Sequence, residues 1–220
     1  MVTYRTFGSG APVTLVGHGL GATPGEARLP TTGLRGTKVV VTLPSHGDAP
    51  DAPPGYWDYR RIAADLKSVA RETGATQAVG VSLTSAALIA LLAEEPDAFD
   101  RVALLLPAVL DEPRRLLARE FAITVIGGPP EYQAERRQAF TRLDDALAEL
   151  PGEVAVADRS VLENVRIPVL VVGATEDPLH PENIAKDTAA AFPNGRLELV
   201  PSWLTHRADV RTWLVDFLHG

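Results

Sequence analysis

With 220 residues, 45% of them hydrophobic, the chain is long enough for one domain with a full core. A formal net charge of −7 disfavours a nucleic-acid partner, and no apolar run approaches a membrane span of about 18 residues. There is no cysteine, hence no disulfide or thiolate chemistry, and Met1 to Arg5 lacks an apolar signal segment. The expectation is a cytoplasmic protein with no nucleic-acid or membrane partner.

In chain order, Val2 to Phe7 alternates as a strand does, and Gly8-Ser9-Gly10 turns it. Pro12 to Val16 is apolar and β-branched, a buried strand. Ala22 to Leu34 has room for a helix, and Thr37 to Leu43 is the next strand. Tyr59, Ile62, Ala63, Leu66, Val69 and Ala70 recur at helical spacing within Trp57 to Thr73, and Gly74 stops that helix. A strand from Ala75 to Val81 runs straight into Ser82, and an apolar helix follows to about Glu95, where Pro96 ends it. Arg101 to Leu106 is a strand stopped by Pro107. Strands alternating with helices imply a parallel sheet.

That rhythm fails between Pro107 and Arg166, a segment too long for one connection. Its pattern predicts two helices, Glu112 to Ile126 and Glu131 to Leu150, separated by Gly127-Gly128-Pro129-Pro130. Val165 to Val172 then returns to the sheet. Leu197 to Val200 is a last short strand, and Val210 to Leu218 a last helix.

Chemistry concentrates at the strand ends. A strand turning into a helix at Ser82 forms an elbow that lifts the serine hydroxyl from the sheet, beside the free N–H groups of the helix start. The competing reading is an N-cap serine. An acid, Asp177, follows the strand ending near Val172, and a histidine, His206, follows the strand ending at Val200. Val16-Gly17-His18-Gly19-Leu20-Gly21 and Leu43-Pro44-Ser45-His46-Gly47-Asp48 are glycine- and histidine-bearing loops after two earlier strands.

Taken in order, these motifs resemble the α/β-hydrolase superfamily over most of the chain. The resemblance implies a mostly parallel central sheet flanked by helices in one domain, residues 1–220, with residues 107–166 as a short helical cap over the pocket. It implies Ser82 as nucleophile, Asp177 as acid and His206 as base, with the backbone N–H groups of Leu20 and Leu83 as the oxyanion hole. His180, near Asp177, competes with His206; Glu176 and Asp111 compete with Asp177. His18 is expected to buttress the oxyanion turn, and His46 and Asp48 to fix their loop. Trp57 and Trp203 either flank the pocket or pack in the core. Thr84 departs from the family pattern, which has glycine there, and is expected to crowd the elbow.

The activity implied is hydrolysis of an ester, thioester or lactone through an acyl-serine intermediate, with no cofactor and no metal. Two other readings stay open. The same residues serve carbon–carbon bond hydrolysis, perhydrolysis or cyclisation in other chemistry, and a hydrolase scaffold can also bind a ligand without turning it over.

Overall fold

The structure is a computed structural model describing residues 1–114, 119–124 and 129–220. A seven-stranded sheet is built from β1 (Thr3–Phe7), β2 (Val13–Val16), β3 (Thr37–Thr42), β4 (Gln77–Val81), β5 (Arg101–Leu105), β6 (Val169–Ala174) and β7 (Gly195–Val200). Its strand order is β1-β3-β2-β4-β5-β6-β7, with β1 antiparallel to β3 and every other pair parallel. The expected mostly parallel α/β sheet is therefore present.

Alternation along the buried strands makes two cores. Leu15, Val39, Val41, Ala78, Val102, Leu104, Val169 and Val171 face one side. Their neighbours Val16, Val40, Val79, Ala103, Leu105, Leu170 and Val172 face the other. The first face is covered by α2 (Tyr59–Thr73), α3 (Leu83–Glu94) and α7 (Glu182–Ala191). The second is covered by α1 (Pro24–Arg28) and α8 (Arg207–His219). Asp58 caps α2 by accepting from Arg60 N–H, and Gly74 ends it at φ 70°. Residues Leu83 to Leu92 of α3 are buried without a break, because the helix is apolar on every face.

Between β5 and β6 lie α4 (Arg119–Thr124), α5 (Pro130–Phe140) and α6 (Asp144–Glu149). Here expectation and structure differ. The second expected helix, Glu131 to Leu150, is two helices broken at Thr141–Leu143. The Thr141 hydroxyl donates to the Gln138 carbonyl, and Arg142 is drawn aside to Asp51 and to the carbonyls of Gly47 and Ala49. Of the first, only residues 119–124 are seen as helix; residues 115–118 and 125–128, including Gly127 and Gly128, lie outside the described residues.

The chain runs outward from β2 to β3 on one side, then returns to lay down β4 and β5 on the other. The carboxyl ends of β2 and β4 thus diverge at a topological switch point, where open α/β sheets hold their ligands. The loops after these two strands are Gly17–Gly21 and the Ser82 elbow.

Candidate active site

Ser82 stands between β4 and α3 at φ 50°, ψ −102°, a backbone conformation that costs a non-glycine residue about 1–3 kcal/mol. Several bonds hold it there. Ser82 N–H donates to the Leu105 carbonyl at 2.8 Å. The buried Ser85 hydroxyl reaches the carbonyls of Gly80 and Leu105, at 2.8 and 2.9 Å, tying β4 to β5 behind the elbow. Ser82 makes no side-chain cap to its helix, so the hydroxyl is left for another partner.

That partner is His180. Its Nε2 lies 2.8 Å from Ser82 Oγ, and its Nδ1 lies 2.8 Å from Asp177 Oδ2. The second carboxylate oxygen of Asp177 accepts from Leu179 N–H at 2.8 Å. With Nδ1 donating to the carboxylate, Nε2 is an acceptor facing the serine O–H. Burial works against the Asp177 carboxylate, but the hydrogen bonds and charge of His180 and the N–H groups of Leu179 and His180 outweigh it, holding its pKa below the ordinary value.

The geometry corrects one sequence expectation. His206 does not meet Ser82; its Nδ1 turns back to the Ser202 carbonyl at 3.1 Å and the Thr205 hydroxyl at 2.9 Å, at the start of α8. The physical reason is the tight Asp177-Pro178-Leu179-His180 turn after β6. It folds the histidine back over its own acid, whereas His206 follows β7, one strand farther from β4. Spacing carried a signal for this, since an aspartate three residues before a histidine can close such a turn. The other acids stand elsewhere: Glu176 is exposed at the pocket rim, and Asp111 is held bidentate by Arg159 at 2.6 and 2.7 Å.

The Gly17–Gly21 turn faces the serine. A Cβ on Gly19 would stand 3.4 Å from that of Ser82. Among the described residues, no hydrogen bond takes up the N–H of Leu20 or of Leu83, and both residues border the cavities beside Ser82. Two buried histidines hold the turn. His18 Nδ1 donates to the Gly19 carbonyl while Nε2 accepts from Leu43 N–H. His46 Nδ1 donates to the Pro44 carbonyl while Nε2 accepts from Gly21 N–H. Each ring must be neutral to accept. Burial lowers the His18 pKa; burial and then the nearby His18 push that of His46 well down. Asp48, expected to brace the same loop, instead pairs with Arg5 on the exposed surface.

Thr84 is more than a crowding residue. Its buried hydroxyl accepts from Val81 N–H at 2.9 Å and stands 3.2 Å from the Val81 carbonyl, pinning the last residue of β4. The space comes from Gly17, where a Cβ would lie 2.7 Å from Thr84 atoms.

The larger cavity beside Ser82, about 170 Å³, is bordered by Leu20, Ser82, Leu106, His180 and Trp203, and on the insertion side by Arg114, Tyr132, Arg136 and Phe140. A smaller one of about 30 Å³, also bordered by Ser82, lies between Leu20, Tyr59, Leu83 and Leu147. Trp57, by contrast, is buried in the core against Tyr56 and His46. Arg136, missed in the sequence, is buried and pairs with Glu26 of α1 at 3.0 Å, while the Tyr132 hydroxyl donates to the same carboxylate. Among the described residues, no group of three or more histidine and acidic side chains is arranged to hold a metal ion.

No protein-family model matches the sequence. Solved structures do resemble the chain. An esterase from Exiguobacterium antarcticum superposes with a TM-score of 0.80 at 17% identity, over 100% of this chain and 96% of that one. The enol-lactonase from Burkholderia xenovorans LB400 does so at 0.78 and 19%, over 100% and 96%. An α/β hydrolase from Sphaerobacter thermophilus gives 0.70 and 21%, over 99% and 96%. At these identities the likeness establishes the fold, which is that of the α/β hydrolases.

Proposed function

We propose that this protein is a serine hydrolase that cleaves an ester, thioester or lactone bond in a small molecule, with Ser82 as nucleophile and His180 as base. The observation that carries the reading is the continuous chain Asp177–His180–Ser82, with 2.8 Å at both histidine nitrogens, ending at a strained serine beside a cavity. A serine hydroxyl is a weak nucleophile until a base within hydrogen-bond reach takes its proton. His180 Nε2 accepts that proton as Oγ attacks the carbonyl carbon. Asp177 fixes the productive tautomer and steadies the imidazolium, which then protonates the departing alcohol, enol or thiol. Water, deprotonated by the same histidine, releases the acid from Ser82.

Negative charge develops on the carbonyl oxygen during both attacks. The N–H groups of Leu20 and Leu83 are the donors proposed for it, and one such donor is worth about 3 kcal/mol. The paired loops carrying His18 and His46 hold the Leu20 turn before substrate arrives, so little reorganisation is needed. The esterase and enol-lactonase among the fold's neighbours are in keeping with acyl chemistry on this scaffold. The decisive experiment is labelling with a fluorophosphonate, read by peptide mass spectrometry. Modification is expected at Ser82, suppressed in His180→Ala and retained in His206→Ala. Labelling elsewhere, or labelling that depends on His206, would sink the assignment.

A further inference from the structure

The buried and half-buried charged groups of the larger cavity are matched in pairs among the described residues, with one cation left over. Glu26 is engaged by Arg136 and Tyr132, and Asp177 by His180 and Leu179 N–H. Glu176 and Arg207 are exposed at the rim. Arg114 is different. It is half-buried and borders both cavities, each of which Ser82 also borders. Its one hydrogen bond among the described residues runs from a terminal guanidinium nitrogen to the Leu179 carbonyl at 3.1 Å. Among the described residues no carboxylate comes within ion-pair distance of it. Burial depresses its pKa, with Tyr59 and Asp177 acting the other way. A desolvated cation without a bonded counter-charge is costly, and its planar fork of donors suits a carboxylate presented edge-on.

Resting on the hydrolase reading of the same cavity, we infer that Arg114 receives a free carboxylate of the substrate, so that the substrate class is small esters or lactones bearing an additional acid group. A cavity of about 170 Å³ keeps that class small. The carboxylate fills the vacant donors of Arg114 while the scissile carbonyl lies between Ser82 and the Leu20 turn. A neutral acyl compound leaves the guanidinium unpaired and is discriminated against on that account.

The test uses a matched pair, monomethyl adipate and its ω-carboxamide analogue, which share shape and differ in charge. Calorimetric binding to the Ser82→Ala protein removes turnover from the measurement. The acid is expected to bind at least about tenfold more tightly than the amide, and Arg114→Gln in the same background should bring the two together. In the Ser82-intact enzyme, the ratio of kcat/KM values for the corresponding 4-nitrophenyl esters should fall by a similar factor on Arg114→Gln. Equal binding of acid and amide before any change at Arg114 overturns the inference, whatever the folding of the variant. So does an Arg114→Gln protein that lowers both ester rates in proportion, which would mark Arg114 as a mere prop for the Leu179 carbonyl. Failure of fluorophosphonate labelling at Ser82, with the acid still preferred, would remove the hydrolase reading and leave the carboxylate site standing.

Discussion

At the scale of single residues, the sequence offers the order serine, acid, histidine, but order alone cannot choose between two histidines that both follow the acid. The contact of His180 with both Ser82 and Asp177 is what favours it in the proposed reading. His180→Ala should lower kcat/KM on a 4-nitrophenyl ester by at least about 10³-fold, leaving the rate supported by binding and the oxyanion donors. His206→Ala, whose ring among the described residues bonds only Ser202 and Thr205, should stay within about threefold of wild type on the same assay. A reversed ranking would restore the assignment that chain order suggested. Thr84 was legible as a departure, not in its effect, because a hydroxyl's partners depend on where the preceding strand ends. Thr84→Val strands the N–H of Val81 and should destabilise by about 1–3 kcal/mol in urea unfolding, whereas Thr84→Ser should keep most of that.

At the scale of elements, the strands and the helices α2, α3 and α8 were readable from their apolar patterns, whereas α7, whose buried positions are only Ala185, Thr188 and Ala189, was not read from the sequence. The insertion was only partly readable. The apolar positions of its second expected helix, Glu131 to Leu150, suggested an unbroken run, and the interruption at Thr141–Leu143 comes from Arg142 reaching the loop at Gly47–Asp51, a tertiary contact that no local pattern records. The same insertion docks on α1 through Arg136. Replacing that buried arginine by methionine leaves Glu26 without its cation and should cost about 3–5 kcal/mol by denaturant titration. Adding Glu26→Gln should recover a good part of the loss. If the two changes simply add, the pair is not the latch.

At the scale of the molecule, the two neutral histidines give stability a pH dependence. Their folded-state pKa values lie below the ordinary 6.5, so as pH falls the unfolded chain takes up these protons first. Their contribution is complete above about pH 6.5 and drains away below it, by up to about 1.4 kcal/mol per pH unit for each histidine. Asp177, lowered from 3.8, adds a separate loss only as pH falls through that lower range. Equilibrium unfolding measured from pH 7.5 to 5 should therefore show falling stability. A His18→Gln, His46→Gln double variant should be weaker at pH 7.5 but flatter across the range. An equally steep slope in that variant would place the titrating groups elsewhere.

The bonds that Leu43 N–H donates to His18 and Gly21 N–H donates to His46 also set when two amide protons can leave. An imidazolium cannot accept, so protonation of each ring releases the amide it holds, and the charge on one ring opposes the charging of the other. In hydrogen–deuterium exchange, after correction for intrinsic rates, Leu43 should lose protection first on acidification and Gly21 at lower pH. The amides of β4 and β5 should hold theirs to lower pH. The turn that carries Leu20, the proposed oxyanion donor, would then come loose before the sheet beneath it melts.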